Sequence, residues 1–233
     1  MHKHLLYLIL FCPLYALGEG KLAINISDSL LRSVAQKYGE PASERVAGWG
    51  KLMEADRQLL PQDNNLKLAR ANDYFNQVAW VSDAEHWGIE DYWATPVETL
   101  ASNGGDCEDF SIGKYFSLLS ADLENEKLRI TYVKSVTYNQ AHMVLAYYSE
   151  PSAEPLILDN INGSILPASQ RRDLIPVYSF SGESIWLAKE RGKKLKTNSQ
   201  TSLPKWKNLN ERFVQELSEG SDASVGPTAN PTN

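Results

Sequence analysis

One cysteine occupies a position that favours a nucleophile. Cys107 follows Gly104-Gly105-Asp106 and opens a segment with the apolar spacing of a helix, from Asp106 to about Ser120. A thiol at a helix N-terminus feels the positive end of the helix dipole, which lowers its pKa toward the range in which the thiolate attacks a carbonyl carbon. The two glycines allow a substrate backbone to approach closely. The position alone leaves open the alternative of a buried, inert cysteine.

A cysteine nucleophile needs a base, and His142 is the first candidate. His142 begins a predicted strand and Asp159 ends the next one. An antiparallel register that sets residue 142 opposite 159 or 161 places both side chains on one face, whereas a slip of one residue separates them. Asp159 then accepts the imidazole N–H and orients the ring toward the thiol. The alternative is that His142 is an ordinary surface or core histidine and Asp159 a turn residue. His86 is the second candidate base, or else a structural or substrate-lining residue.

Three carboxylates flank the thiol in the run Asp106-Cys107-Glu108-Asp109. Negative charges this close disfavour the thiolate. One explanation is that Asp106 caps the helix and the acids suit its dipole. The other is a bound cation, and oxygen ligands without additional Cys or His favour Ca²⁺. Such an ion would neutralise the acids and fix the turn that carries Cys107, although the spacing is not that of an EF-hand.

The elements that must position these residues are helices in the first half of the chain and strands in the second. The periodicity predicts helices over 27–39, with Ser27 or Asp28 as the cap and Gly39 at the end, over 42–60 and over 66–80. An ordered aromatic loop, 81–105, precedes the central helix. Strands are predicted over 128–138, 142–148, 155–159, 177–180 and 184–189, and a last amphipathic helix over about 205–217. This order favours an α+β domain with an antiparallel sheet.

The N-terminal segment has the features of a secretory signal peptide. Lys3 precedes the apolar run Leu5–Cys12, and Ala16-Leu17-Gly18 has small residues where a signal peptidase acts. We expect residues 1–18 to be cleaved, 19–217 to form one domain and the polar tail 218–233 to be disordered. The alternative for the first segment is a short anchor or buried helix, which Pro13 disfavours. After cleavage we expect one cysteine and no membrane span.

The composition fits a globular protein and excludes one class of partner. The chain has 233 residues, 42% of them hydrophobic and 22% charged, with 29 acidic residues against 23 basic ones and a net charge of −6. These fractions are ordinary for a folded domain. The acidic balance argues against nucleic-acid binding, which needs a basic surface.

Three segments together resemble the bacterial transglutaminase-like cysteine proteinases: EDYWATPVETLASNGGDCEDFSIGKYFSL, AHMVLAYY and LILDNING. The resemblance covers about residues 25–210 and implies a papain- and transglutaminase-like fold, in which the cysteine heads a helix packed on an antiparallel sheet. It implies a cysteine protease with Cys107 as nucleophile, His142 as general base and Asp159 as orienting acid. The family's calcium ligands correspond to Asp106 and Glu108, and Asp109 can join them.

The resemblance also implies a biological setting. The family's substrate is a very large, repeat-containing surface adhesin that is cut near its N-terminus at paired alanines. The cut releases the adhesin and disperses the biofilm. The chain would then be a calcium-dependent periplasmic endopeptidase. Its partners would be the adhesin and an inner-membrane receptor for cyclic-di-GMP that sequesters the protease when the nucleotide is bound.

Acyl transfer by this machinery requires donors for the oxyanion. The backbone N–H of Cys107 is the first candidate and the indole N–H of Trp93 the second, although Trp93 could equally be core packing. We expect Trp87, Tyr92 and Trp93 to form the walls of a narrow groove. The alternatives are a transglutaminase that passes the acyl group to an amine, a cell-wall peptidase, and a non-catalytic calcium-binding module that docks onto an adhesin or receptor.

Overall fold

The computed structural model describes residues 22–182, 184–187, 193–195 and 203–222. The helices are α1 Asp28–Tyr38, α2 Glu40–Arg57, α3 Asn64–Phe75, α4 Asp83–His86, α5 Pro96–Ser102, α6 Cys107–Ser120 and α7 Pro204–Asp222. The strands are β1 Ala79–Trp80, β2 Gly104–Gly105, β3 Leu128–Ser135, β4 Gln140–Tyr147, β5 Leu156–Leu158, β6 Leu166–Pro167, β7 Leu174–Ser181, β8 Ser184–Leu187 and β9 Lys193–Leu195. Among these helices none is both long and apolar enough to cross a bilayer.

A seven-stranded antiparallel sheet forms one layer, in the order β6-β5-β4-β3-β7-β8-β9. Helix α6 packs against β4 and β3, and helices α2, α3 and α5 pack against α6. The predicted α+β class with an antiparallel sheet is confirmed. A separate two-stranded parallel pair, β1 with β2, lies beside the start of α6.

The predicted boundaries of α1 agree with the structure, whereas the predicted end of the first long strand is three residues too late. The Ser27 hydroxyl accepts the Leu30 N–H at 3.1 Å, and α1 ends at Gly39, whose φ of +89° favours glycine. The predicted strand 128–138 ends at Ser135, because the next residues form the turn into β4 with Asn139 at a φ of +51°.

Other boundaries were wrong. The third helix ends at Phe75 rather than residue 80, because residues 79–80 pair with the glycines of β2. The predicted aromatic loop contains α4 and α5; α5 begins with Pro96 and a capping box between Thr95 and Glu98. These two helices are too short to show periodicity. Helix α7 continues to Asp222, five residues beyond its predicted end. The predicted signal peptide and residues 223–233 of the predicted tail lie outside the described residues.

Helix α6 is the centre of the core, and nearly all of its residues are buried. Trp49 of α2 is fully buried and donates its indole N–H to the Ser117 hydroxyl at 2.7 Å. On the α3 side, Phe75 lies directly over Gly113. Because helices enclose α6 on one side and the sheet on the other, its sequence is apolar around most of its circumference. The position of its first residue, Cys107, is therefore fixed by the whole core.

We expect Gly113→Ala to destabilise the fold. A Cβ at this position would lie 2.0 Å from Cε1 of Phe75, so the ring or α6 must shift. Overpacking of this kind costs about 1–3 kcal/mol, more than the gain of up to about 1 kcal/mol from helix propensity. Urea unfolding measures the change. Gly163→Ala is the control, because its Cβ would meet its nearest neighbour, Asn76 Nδ2, at 3.7 Å. Equal stability of the two variants would contradict this packing.

Candidate active site

Cys107 begins α6, and Asp106 is the residue that caps it. The thiol is half-buried and donates a hydrogen bond to Glu108 Oε2 at 3.1 Å. Burial raises the pKa of the Cys107 thiol, and the negative charges of Glu108 and Asp106 raise it further. The predicted lowering of the thiol pKa by the helix dipole is thus outweighed by burial and by the flanking carboxylates.

His142 and Asp159 meet as the strand pattern predicts. The register pairs Leu145 with Leu158 and Ala146 with Ile157. Continued toward the start of β4, this register sets residue 142 opposite 161, one of the two predicted alternatives. His142 Nε2 lies 2.8 Å from Asp159 Oδ1, and both side chains are buried. Because an ionised carboxylate only accepts, Nε2 carries the proton, and Nδ1 is the nitrogen left to act as a base.

Asp159 is held by further donors. Its Oδ1 also accepts the backbone N–H of Ile161 at 3.0 Å, and its Oδ2 accepts from Arg171 Nη2 at 2.7 Å. Burial alone would raise the pKa of Asp159, but the bonds from His142 and Arg171 outweigh burial and hold the pKa well below its ordinary value. Arg171 was missed in the sequence, since nothing in the spacing of residues 170–175 indicates that this chain segment returns to the site.

Cys107 and His142 line one cavity of about 580 Å³. Its walls include Tyr132 and Tyr178, which stack with ring centroids 5.3 Å apart, and Trp93. The prediction that Trp87 and Tyr92 form the walls is wrong, since the described residues that line the cavity include neither of them. Sequence proximity in a loop does not fix the direction of a side chain.

The geometry does not favour Trp93 as an oxyanion donor. Its indole N–H donates to Asp91 Oδ1 at 3.1 Å, and its ring stacks on Phe180. Because the indole has only one N–H, Trp93 would have to break the bond to Asp91 before it could bind an oxyanion. The core-packing alternative describes its present contacts better.

His86 is placed in the packing beside the glycines. A Cβ on Gly104 would lie 2.6 Å from His86 Cε1, and the imidazole meets the Trp87 ring edge-on with centroids 4.5 Å apart. His86 does not occur among the described residues that line the Cys107 cavity. His142 therefore lines the Cys107 cavity and bonds to Asp159, whereas His86 packs beside the glycines.

The acidic residues around Cys107 converge with two others from the aromatic segment. Ligand oxygens of Asp83, Asp106 and Asp109 lie within 4.8 Å of one another, and so do those of Asp83, Asp91 and Glu108. Asp83 and Asp91 were missed, because α4 and the following loop bring them to the site from more than fifteen residues upstream. Asp109 also orders the backbone, accepting the Ala94 N–H at 2.8 Å and the Asp106 N–H at 3.2 Å.

This cluster fits a divalent cation. Oδ1 of Asp83 and Oδ1 of Asp106 are buried without a hydrogen-bond partner. Burial raises the pKa of Asp83 to about 6 and, together with Glu108, that of Asp106 to about 8; it also raises the pKa of Asp109. An all-oxygen set of carboxylates is the donor set that Ca²⁺ prefers. The donors therefore suit calcium and include all three predicted ligands.

Helix α7 fixes the loop that carries Asp91 and Trp93. Arg212 donates to the Trp93 carbonyl oxygen at 2.5 Å and to the Tyr92 hydroxyl at 2.7 Å, and it pairs with Glu98. The Thr95 hydroxyl donates to Glu216 at 2.7 Å. One wall of the cavity is therefore supported by a helix more than one hundred residues away in sequence.

Comparison with known proteins identifies the family. The sequence model described as bacterial transglutaminase-like cysteine proteinase, BTLCP, matches residues 49–180, which include Cys107, His142 and Asp159. The chain belongs to this family. The predicted resemblance to the bacterial transglutaminase-like cysteine proteinases is thereby confirmed, and with it the assignment as a cysteine proteinase of that family. No curated protein sequence matches the chain.

Three solved structures of one protein are similar to this chain in both sequence and fold. The chain is similar to Legionella pneumophila LapG, with 41% identity over 82% of this chain and 98% of that one and a TM-score of 0.68. For the EGTA-treated form of that protein the identity is 41% over 82% of this chain and 100% of that one, with a TM-score of 0.69. For its calcium-bound form the identity is 42% over 81% of this chain and 99% of that one, with a TM-score of 0.67. This BTLCP family member thus shares its fold with a protein that has been solved with calcium.

The buried Asp159 carboxylate predicts a pH-dependent contribution to stability. Its pKa is lower in the folded protein than in the unfolded chain, so its contribution is present above about pH 4 and is lost as the pH falls. We expect Asp159→Asn to be less stable than wild type at pH 5, with a difference that shrinks toward pH 2. Urea unfolding at several pH values measures this. Asp73→Asn, at an exposed position, is the control; a pH-independent difference for Asp159→Asn would contradict the prediction.

Proposed function

We propose that this chain is a calcium-dependent cysteine endopeptidase that cuts the N-terminal region of a large, repeat-containing surface adhesin and so promotes biofilm dispersal. The observation that carries the proposal is the 2.8 Å bond between His142 and Asp159 beside the cavity that Cys107 lines. Membership of a cysteine proteinase family supports the reaction class. The adhesin and the biofilm role rest on the resemblance to that family.

The catalytic roles follow from the atoms available. His142 Nδ1 takes the proton of Cys107, and the thiolate attacks the scissile carbonyl carbon. The N–H groups of a first helical turn have no partner within the helix, so we assign the backbone N–H of Cys107 as a donor to the developing oxyanion. The His142 imidazolium then protonates the leaving amine, and water hydrolyses the thioester. Asp159 keeps the Nε2–H fixed through both steps.

The proposed calcium ligands are Asp106, Glu108 and Asp109 together with Asp83 and Asp91. Bound Ca²⁺ would supply the positive charge that offsets these buried acids. The orphaned oxygens of Asp83 and Asp106 support the assignment, as does the calcium-bound form of the similar Legionella protein. In the described arrangement, the Cys107 thiol donates a hydrogen bond to Glu108 Oε2, and this bond favours the neutral thiol over the thiolate. A calcium ion bound by Glu108 would compete with this hydrogen bond and so affect the reactivity of the thiol.

Location and partner complete the proposal. The features of residues 1–18 favour export and cleavage of a signal peptide and so support the proposal that the enzyme is periplasmic. We propose that an inner-membrane cyclic-di-GMP receptor of the LapD type binds and sequesters it. N-terminal sequencing of the periplasmic protein tests the cleavage, and co-purification with the receptor's periplasmic domain tests the partner. A protein that starts at Met1, or no complex at micromolar concentrations, would contradict these two points.

The decisive activity test uses residues 19–233 and an adhesin N-terminal fragment. We expect wild type to cut it in calcium, and we expect cutting to be lost in EGTA and in Cys107→Ala, because the thiol forms the acyl-enzyme. Gel electrophoresis with mass spectrometry locates the cut, and a labelled primary amine in one arm detects acyl transfer to an amine. Equal cutting by wild type and Cys107→Ala would refute the thiol mechanism. Amine incorporation without cutting would favour a crosslinking transglutaminase.

Calcium removal has a predicted effect on stability. Because the acids have raised pKa values, the calcium-free protein loses stability as the pH rises from about 4 toward 8. We expect calcium to raise the thermal midpoint, and to raise it more at pH 8 than at pH 5; at 100 times Kd, an ion contributes about 2.7 kcal/mol. Differential scanning calorimetry with calcium or EGTA measures this. Asp106→Asn should reduce the shift, with the exposed Glu150→Gln as control. An unchanged midpoint in wild type would refute the site.

A further inference from the structure

Arg171 lies behind the His142–Asp159 pair, away from the reacting thiol. It is 3% exposed and follows a short 3-10 turn at residues 168–170. Its Nη2 donates to Asp159 Oδ2 at 2.7 Å. The same Nη2 and the Nε donate to the two carboxylate oxygens of Asp173, at 2.8 Å and 3.0 Å. One guanidinium therefore joins a fully buried carboxylate to a half-exposed one.

The two oxygens of Asp159 have separate partners. Oδ1 accepts from His142 Nε2 and from the Ile161 N–H, and Oδ2 accepts from Arg171. A carboxylate with one free oxygen can rotate about its Cβ–Cγ bond and present either oxygen to the imidazole. The donors from Arg171 and Ile161 oppose that rotation. The direction in which Asp159 accepts the imidazole N–H is thus set by residues that lie outside the proposed triad.

The charge balance points to the same residue. A buried carboxylate without a countercharge is costly, and a neutral imidazole supplies none. Besides His142, the basic groups that act on Asp159 are Arg171 from the segment before β7 and Lys114 from α6, and burial lowers the pKa of Lys114 to about 7. Of these, only Arg171 is within hydrogen-bond distance of Asp159 in the described structure. Asp173 in turn fixes the planar fork of the guanidinium, a geometry that lysine cannot reproduce.

We infer that Arg171 is a positioning residue of the proposed protease: it locks the Asp159 carboxylate in the orientation that holds His142 Nε2–H, and so aims Nδ1 at Cys107. The inference rests on the proposed cysteine chemistry for its effect on rate, but its structural content is independent of the substrate. Arg171 touches neither His142 nor Cys107 through any described hydrogen bond and acts through Asp159 alone.

The test compares Arg171→Gln and Arg171→Lys with wild type and with Arg172→Gln, the matched control at the exposed neighbouring arginine. We expect Arg171→Gln to lower kcat on the adhesin fragment by about 10- to 100-fold with little change in KM, the usual size of losing such a supporting contact. Arg171→Lys keeps the positive charge but lacks the planar guanidinium, so its kcat should lie between those of wild type and Arg171→Gln. Arg172→Gln should match wild type.

A second readout follows the imidazole itself. Proton NMR of selectively ¹⁵N-histidine-labelled protein reports whether the His142 Nε2–H is held in a hydrogen bond. We expect a protected low-field Nε2–H resonance in wild type and in Arg172→Gln, and its loss by fast exchange in Arg171→Gln. A variant that is merely less stable but keeps the pair intact would retain this resonance, so the readout separates positioning from a general structural role.

The outcomes decide the inference in each case. A folded Arg171→Gln or Arg171→Lys variant with wild-type kcat and an unchanged imidazole resonance would overturn it. If Arg171→Gln fails to fold, Arg171→Lys decides, with a lower kcat at an unchanged thermal midpoint as support. If wild type does not cut the fragment, the proposed function fails, while the NMR comparison still determines whether Arg171 holds the pair.

Discussion

The enclosure of α6 is the constraint on which the site depends. Phe75 lies over Gly113 on one side, the indole of Trp49 bonds to Ser117 on another, and the sheet covers the remainder. A helix held on all sides cannot slide or rotate without disrupting the core. Cys107 at its first position is therefore fixed relative to β4, which carries His142. The fold thus holds the thiol and the proposed base in place, which a flexible loop would have to do anew at each turnover.

The same helix terminus creates a conflict between charge and reactivity. A dipole that favours a thiolate also attracts acids, and here the acids and burial prevail at Cys107. The hydrogen bond from the Cys107 thiol to Glu108 is one contact through which these acids favour the neutral thiol. In this arrangement the nucleophile is in place but protonated. A cation bound by these acids would offset the negative charge beside the thiol, as the proposed calcium site requires.

The parts of the site that could be predicted from the sequence lie on regular elements. Successive side chains of a strand point to opposite faces of the sheet. His142 and Asp159 therefore share a face in one register and would be on opposite faces after a slip of one residue. Asp83 and Arg171 reach the site through α4 and a short turn, whose paths depend on tertiary packing and leave no periodic pattern. The expected groove walls failed for the same reason: Tyr92 points to Arg212 and Glu98 instead of the cavity. The sequence therefore indicated the contact between His142 and Asp159 but not the residues that surround this pair.

The two sides of the thiol differ in how their acids are neutralised. On the His142 side, Asp159 pairs directly with Arg171. On the other side, Lys205 at the start of α7 pairs with Asp91 at the rim, and among the described residues no basic group forms an ion pair with Asp83, Asp106, Glu108 or Asp109. The protein thus carries its own countercharge where it needs a permanently oriented carboxylate. On the other side the described residues provide no such ion-pair partner, which is why the acidic cluster suits a bound cation.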